Sequence, residues 1–414
     1  MTPGLGRLGA AATAAALALA TAPATASGAA VARVRAQIRI TPLPTGTDKE
    51  LLAVSFADVQ TGYAVGVDGT ILATTNAGST WGAQAAALPA RDDGLAETLS
   101  GVSFPDATHG HAVTDDGTII ATSDGGRTWT KQPPPPPSIV VGDRVINWSF
   151  SGVSFSDDRT GYVIGGPGIL STTDGGATWK VFGEPRFGNL KGISATDAQH
   201  GQAVGWSGHA VDGIPFVTVS TADGGATWQP DFGTFQPGVD GLNFNAVSFT
   251  DALHGHAVGD GGRIVATSDG GKTWTLQRGG TVEVLNGVAF ADARRGVAVG
   301  TVTLTTGEQK GLVFATDDGG LTWVSRIVAD TNRLWDVAFG GDKTAYVVGC
   351  ASTRPGADGA PHCLDGAALK VDFLAPAPVS TSGGGGMSWL LPVGLGVAIL
   401  AIVVGALTVR RRRD

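Results

Sequence analysis

The chain has 414 residues, of which 64 are Gly and only 15% are charged, so Gly is used about twice as often as average and charge falls well below the typical quarter. No Gly-X-Y period exists, which excludes collagen, and an apolar content of 42% excludes wholesale disorder. Ten Trp stand against three Tyr, and a Gly-rich, weakly charged, aromatic-bearing chain points to many short strands joined by tight turns.

In chain order, residues 1–26 come first. Arg7 precedes a small-residue apolar run from Leu8 to Ala22, and Ala24-Thr25-Ala26 stands before Ser27. That order of positive, apolar and Ala-x-Ala regions reads as a cleaved export signal. Next, Val34–Ile40 reads as a lone strand.

A repeat then fills the chain. Thr75-Asn76-Ala77-Gly78-Ser79-Thr80-Trp81 is followed by five close copies, in which Asp124, Asp174, Asp223, Asp269 and Asp318 replace Asn76 and Gly-Gly follows each Asp. The copies close on Trp129, Trp179, Trp228, Trp274 and Trp323, at Trp spacings of 48, 50, 49, 46 and 49. Ahead of each copy stands a Val-Ser-Phe segment or a variant, as at Val54-Ser55-Phe56, and then Gly-x-Ala-Val-Gly or similar. Each unit reads as four short strands: a at Val-Ser-Phe, b at Tyr-Ala-Val-Gly, c at Gly-Thr-Ile-Leu-Ala-Thr and d from Thr-Trp. The box falls on the c–d hairpin, where an Asp carboxylate can accept from following amides and Gly permits positive φ.

A seventh unit begins at Val337-Ala338-Phe339 and supplies a, b and a strand c at Ala367 to Phe373, but no box and no d. Four-stranded units of this length, repeated seven times, define a β-propeller. The all-β domain is expected over 27–373. Val34–Ile40 is expected to supply the missing fourth strand of blade seven, because an unclosed ring would leave two open edges.

Cys350 and Cys363 lie in that last unit, and export favours a disulfide between them. No metal site is expected, since two Cys with His362 nearby fall short of a zinc ligand set, and no cofactor motif is present. Residues 374–386 form a Pro/Ser/Gly-rich tether. Residues 387–409 are an uncharged, mostly apolar run of 23, and residues 410–414 add four Arg. About 20 apolar residues span a bilayer, and the Arg cluster predicts a single-pass anchor with a cytoplasmic tail. A cell-wall sorting signal is the alternative, although Leu391-Pro392-Val393-Gly394 lacks the Thr of Leu-Pro-x-Thr-Gly. The exported part keeps 23 basic and 35 acidic residues, about −12, which makes nucleic acid a poor partner.

The boxes match the Asp-box, or BNR, repeat. With Phe-x-Asp-x-x-x-Gly-Tyr-Ala-Val-Gly in the units, the pattern resembles the photosystem II assembly and stability factor family over about Val31 to Phe373. The resemblance implies a seven-bladed, non-enzymatic, protein-binding scaffold. Departures are Asn76-Ala77 in the first box and the C-terminal span. The Ala-rich composition and the tail look actinobacterial, so the fold and the scaffold class carry over and the photosystem partner does not. Sialidases and xyloglucan-active glycosidases share the box, so a glycan-binding protein or glycoside hydrolase is the alternative.

Residues that would carry catalysis are mostly accounted for by the repeat. Tyr63, Tyr162 and Tyr346 share one position in strand b, and His109, His200 and His254 share one turn position far apart around a ring. The recurrent aspartates at both turns read as structural, and nothing points to a pair of carboxylates facing a sugar. A propeller puts the a–b turns and boxes on one face and the b–c loops and d–a linkers on the other. Variation concentrates on the second face: Arg91, Asp92 and Asp93; Pro133 to Pro137 with Arg144 and Trp148; and Trp206 to Pro215. That face is the expected recognition surface, with Trp148 and Trp206 either as aromatic anchors or packed under their own loops. An envelope protein or a glycan is the expected partner.

Overall fold

In a computed structural model, the described residues run from 36 to 375, apart from 87, 89–93, 134–138, 142–143, 167, 183–188, 212–213, 232–233, 236–242, 282 and 356–360. The expected export signal, most of the expected tether, the apolar run 387–409 and residues 410–414 lie outside them. Among the described residues, no helix is long and apolar enough to cross a membrane.

Blade one sets the pattern. Strands a (Leu51–Phe56), b (Gly62–Gly66), c (Ile71–Thr74) and d (Gly82–Ala83) pair antiparallel in sequence order. Five further sheets repeat the order, ending with the sheet over residues 284–328. The repeated Gly-x-Ala-Val segments of strands b are buried in blades one, two and five, because both faces of each blade pack on neighbours. Strands d are shorter than Thr-Trp would give, starting after the Trp in blades one to four and six. The box Thr instead turns its amide to the Asp carboxylate, which holds Thr and Trp in the turn.

Blade seven completes the ring as the repeat requires. Its strands a (Arg333–Phe339), b (Thr344–Pro355) and c (Pro361–Phe373) are joined by Ile38–Leu43. The closing strand runs antiparallel, from Ile38 opposite Phe373 to Leu43 opposite Ala368, so the first and last strands of the propeller hydrogen-bond to each other. It sits a few residues later than Val34–Ile40, and it accommodates Pro42 because an outermost strand has one side free of ladder bonds. Cys350 and Cys363 form a disulfide across the long b–c hairpin of this blade. Two additions lie outside the repeat: a hairpin of Ile139–Val141 with Arg144–Ile146 between blades two and three, and Thr234–Phe235, which pairs in parallel with Thr273–Trp274.

Candidate partner-binding site

The boxes use their polar groups internally. In blade three the Thr172 hydroxyl donates to Asp174 Oδ1 at 2.8 Å and accepts from the Gly176 amide at 2.9 Å. Asp174 in turn accepts from the Thr178 amide at 2.9 Å and the Thr178 hydroxyl at 2.6 Å. The same set recurs at Asp124, Asp223, Asp269 and Asp318. Hydrogen bonds from Thr128 and Thr227 hold Asp124 and Asp223 down at about 2, because they stabilise the charged form. Asn76 keeps the fold of the turn with one change: its amide donates to Thr80 Oγ1 at 2.8 Å. Ala77 there adopts φ 57°, a conformation the other boxes give to Gly.

Aromatic rings link the blades. Tyr63 stacks on Phe104 of the next blade at 3.4 Å, His111 on Phe155 at 3.7 Å, His256 on Phe290 at 3.7 Å, and Tyr346 on Phe56 at 3.8 Å across the closing seam. Each Phe then meets its own box Trp edge-on. Tyr162 reaches Trp228 directly at 5.0 Å, since Ala195 stands where the other blades place Phe. Burial pushes His111 and His256 down to about 4, so both stay neutral near pH 7. The tyrosines and these histidines therefore pack blade on blade. His109, His200 and His254 each bind the Asp three residues before them in their turns and do not converge.

The axial channel is lined by strand a of every blade, around a cavity of about 170 Å³. Strand a carries a β-bulge in each blade, and the bulged residues Leu52, Ser100, Ser151, Lys191, Asn245, Asn286 and Trp335 line this cavity. Several of them join neighbouring blades. Ser100 donates to Phe150 O at 2.8 Å, Ser151 to Leu190 O at 2.7 Å, Asn245 to Leu285 O at 2.9 Å and Asn286 to Leu334 O at 2.9 Å. Lys191 is exposed, while Trp335 donates to Glu50 Oε1 at 2.7 Å.

One position beyond the bulge, strands approach so closely that a Cβ on Gly192 would lie 2.7 Å from Ala246 Cα. Blade seven carries Asp336 at this position, and its carboxylate crosses the closing seam to accept from the Val54 amide at 3.0 Å. Asp336 keeps some surface inside the channel, yet the strands around it desolvate the carboxyl and push it up to about 6. Neither the bulge ring nor Asp336 is singled out by the sequence reading. The signal available was positional: each bulged residue stands two before the Val or Ile that opens the Val-Ser-Phe segment.

The variable face is the one onto which strands a begin. Trp206 is 43% exposed there, on the long strand b of blade four. Trp148 is 8% exposed and packs with Val113, Ile119 and Phe150 between blades two and three. Arg144 lies in the linker hairpin, opposite Val141. Arg91, Asp92 and Asp93 lie outside the described residues. The Glu50 carboxylate comes within 4.8 Å of both cysteine sulfurs, but those sulfurs are bonded to each other and offer no thiolate to a metal.

Fold and repeat together define an Asp-box seven-bladed propeller. Residues 91–229, about a third of the chain, match the family of the photosynthesis system II assembly factor YCF48. The fold is similar to that of YCF48 bound to D1 peptide, with 18% identity, a TM-score of 0.56, and coverage of 82% of this chain and 95% of that one. YCF48 from Cyanidioschyzon merolae is similar at 21% identity and TM-score 0.55, over 80% of this chain and 98% of that one. The GH74 xyloglucanase from Xanthomonas campestris gives 15% identity and TM-score 0.54, over 76% of this chain and 53% of the enzyme. At these identities the likeness is one of fold. No curated protein matches the chain.

Proposed function

We propose that this chain is a non-enzymatic, membrane-anchored, extracytoplasmic propeller that holds a partner protein on its loop-bearing face, as an assembly scaffold does. The observation that carries this reading is the composition of the channel. Its hydroxyl and amide side chains already donate to neighbouring carbonyls, and Asp336 is the one carboxylate among its lining residues. Glycoside hydrolysis needs two carboxylates facing one sugar. Functional residues on propellers of this kind are left to the variable loops, where Trp206 is exposed and Arg144 stands in an added hairpin. One similar structure holds a peptide in that other protein, which supports a protein partner here. The anchor rests on the apolar run of residues 387–409 and the arginines after it.

The test is affinity capture from membrane extracts with the full chain, alongside Trp206→Ala and Arg144→Ala. Capture of a defined envelope protein that both substitutions weaken supports the scaffold; unchanged partners would sink the assignment to this face. A glycan-binding or glycan-cleaving role is the second reading, favoured by the xyloglucanase likeness. Release of sugar from a polysaccharide panel would reverse the ranking.

A further inference from the structure

At four of the seven seams the propeller seats an aromatic ring on the Phe that ends strand a of the next blade. The seam between blades four and five lacks that ring, as does the seam between blades six and seven, where Val297 stands in its place and Phe373 packs on Phe339 instead. Blade four carries Gln202 at the strand b position occupied by Tyr63, His111 and His256 in other blades. The Gln202 amide takes over the polar task, donating to Gly270 O at 2.9 Å, much as Tyr63 donates to Gly125 O at 3.3 Å. It does not supply a ring. Among the described residues, no aromatic side chain stacks on Phe249, which meets only its own Trp274, edge-on at 6.1 Å. A cavity of about 210 Å³ remains at this seam, on the box face, lined by Phe249, Gln202, Ala252, Leu253, His200 and Lys272 among others. Leu253 at its rim is 53% exposed. Lys272 is exposed too and lines the cavity together with Asp269, whose carboxylate it helps to keep charged.

We propose that this seam is a socket for an aromatic side chain of a partner protein, stacked on Phe249, with a carboxylate beside it on Lys272. The occupant follows from the molecule itself, since equivalent positions at four other seams hold a flat ring 3.4–3.8 Å from the Phe. Charge selects further. The exposed Lys272 ammonium at the rim favours a ring with an acidic neighbour on its own side, against the Asp269 carboxylate that shares the lining. The socket lies on the face opposite the variable loops, and it stands or falls independently of the loop-face reading.

The test uses the full chain and small probes, read by NMR through the Leu253 methyls and the Phe249 ring. The probes are 4-hydroxyphenylacetate, p-cresol and xylose. Both aromatic probes are expected to shift these signals saturably, and xylose is not. Gln202→His places the ring of blades two and five into the socket and is expected to weaken both aromatic probes by about tenfold. Lys272→Gln is expected to weaken 4-hydroxyphenylacetate roughly threefold and to leave p-cresol unchanged. Leu253→Asp, at an exposed position that leaves the fold intact, is a second block should Gln202→His fail to fold. The proposal is overturned if neither aromatic probe shifts the signals, if they bind the blocked variants as well as the parent, or if xylose binds there more tightly.

Discussion

On the face that carries the boxes, six hairpins repeat one core bond, from the Thr amide to the Asp or Asn side chain four residues before it. On the opposite face the b–c connections run from four-residue turns in blades one and two to long hairpins in blades four, six and seven. The strands beneath are the same. What differs is whether a turn residue is needed to hold its own blade. Where the motif repeats, substitutions should cost stability; where it breaks, they should cost recognition.

Removing Ile38–Leu43 should have the largest effect. It strips the fourth strand from blade seven and exposes Val371 and Leu369, which pack beneath it. Thermal unfolding should show a loss larger than the roughly 4–5 kcal/mol that single substitutions rarely exceed. Next comes Thr172→Val within a box. It removes the buried acceptor of the Gly176 amide and a donor to Asp174, at a cost of about 1–3 kcal/mol in chemical denaturation.

Titration separates the boxes from the closing seam by sign. Asp124, Asp174, Asp223 and Asp269 have lowered pKa values, so their contribution is present above the ordinary carboxylate range and lost as pH falls through the folded values. Asp336 is raised to about 6. Its contribution is therefore fully present below the ordinary value near 3.8 and lost as pH rises through about 6. Between pH 5 and 7 the unfolding midpoint should fall as pH rises, with a slope of at most about 1.4 kcal/mol per pH unit from this group. Asp336→Asn should remove that slope; a profile unchanged by the substitution would show that the seam does not titrate. The smallest stability effect is expected for Trp206→Ala, within about 0.5 kcal/mol, although partner capture should fall.

The ring and its closure are legible in the sequence because one period recurs and its last copy lacks a strand. The boxes are legible because each is a local turn, made within seven residues. The channel is not, since its seven bulged residues share a position but span five residue types, and side chains of seven different blades line one cavity. Asp336 reads as an ordinary strand residue until the ring closes and brings it to Val54, 282 positions away. Gln202 differs only in lacking a ring, and that has meaning once Phe249 is seen without a stacking partner. The two tryptophans expected as anchors diverge for a local reason: Trp148 lies where a strand enters the core, and Trp206 lies on a hairpin that extends past it.

The most direct measurement is paired capture and turnover with the full chain: affinity isolation of bound proteins, and assay of the same preparation for sugar release from a polysaccharide panel. The scaffold reading predicts a defined envelope protein retained by the parent, reduced with Trp206→Ala, and no sugar released. Sugar release, or a captured set indifferent to Trp206, would contradict it.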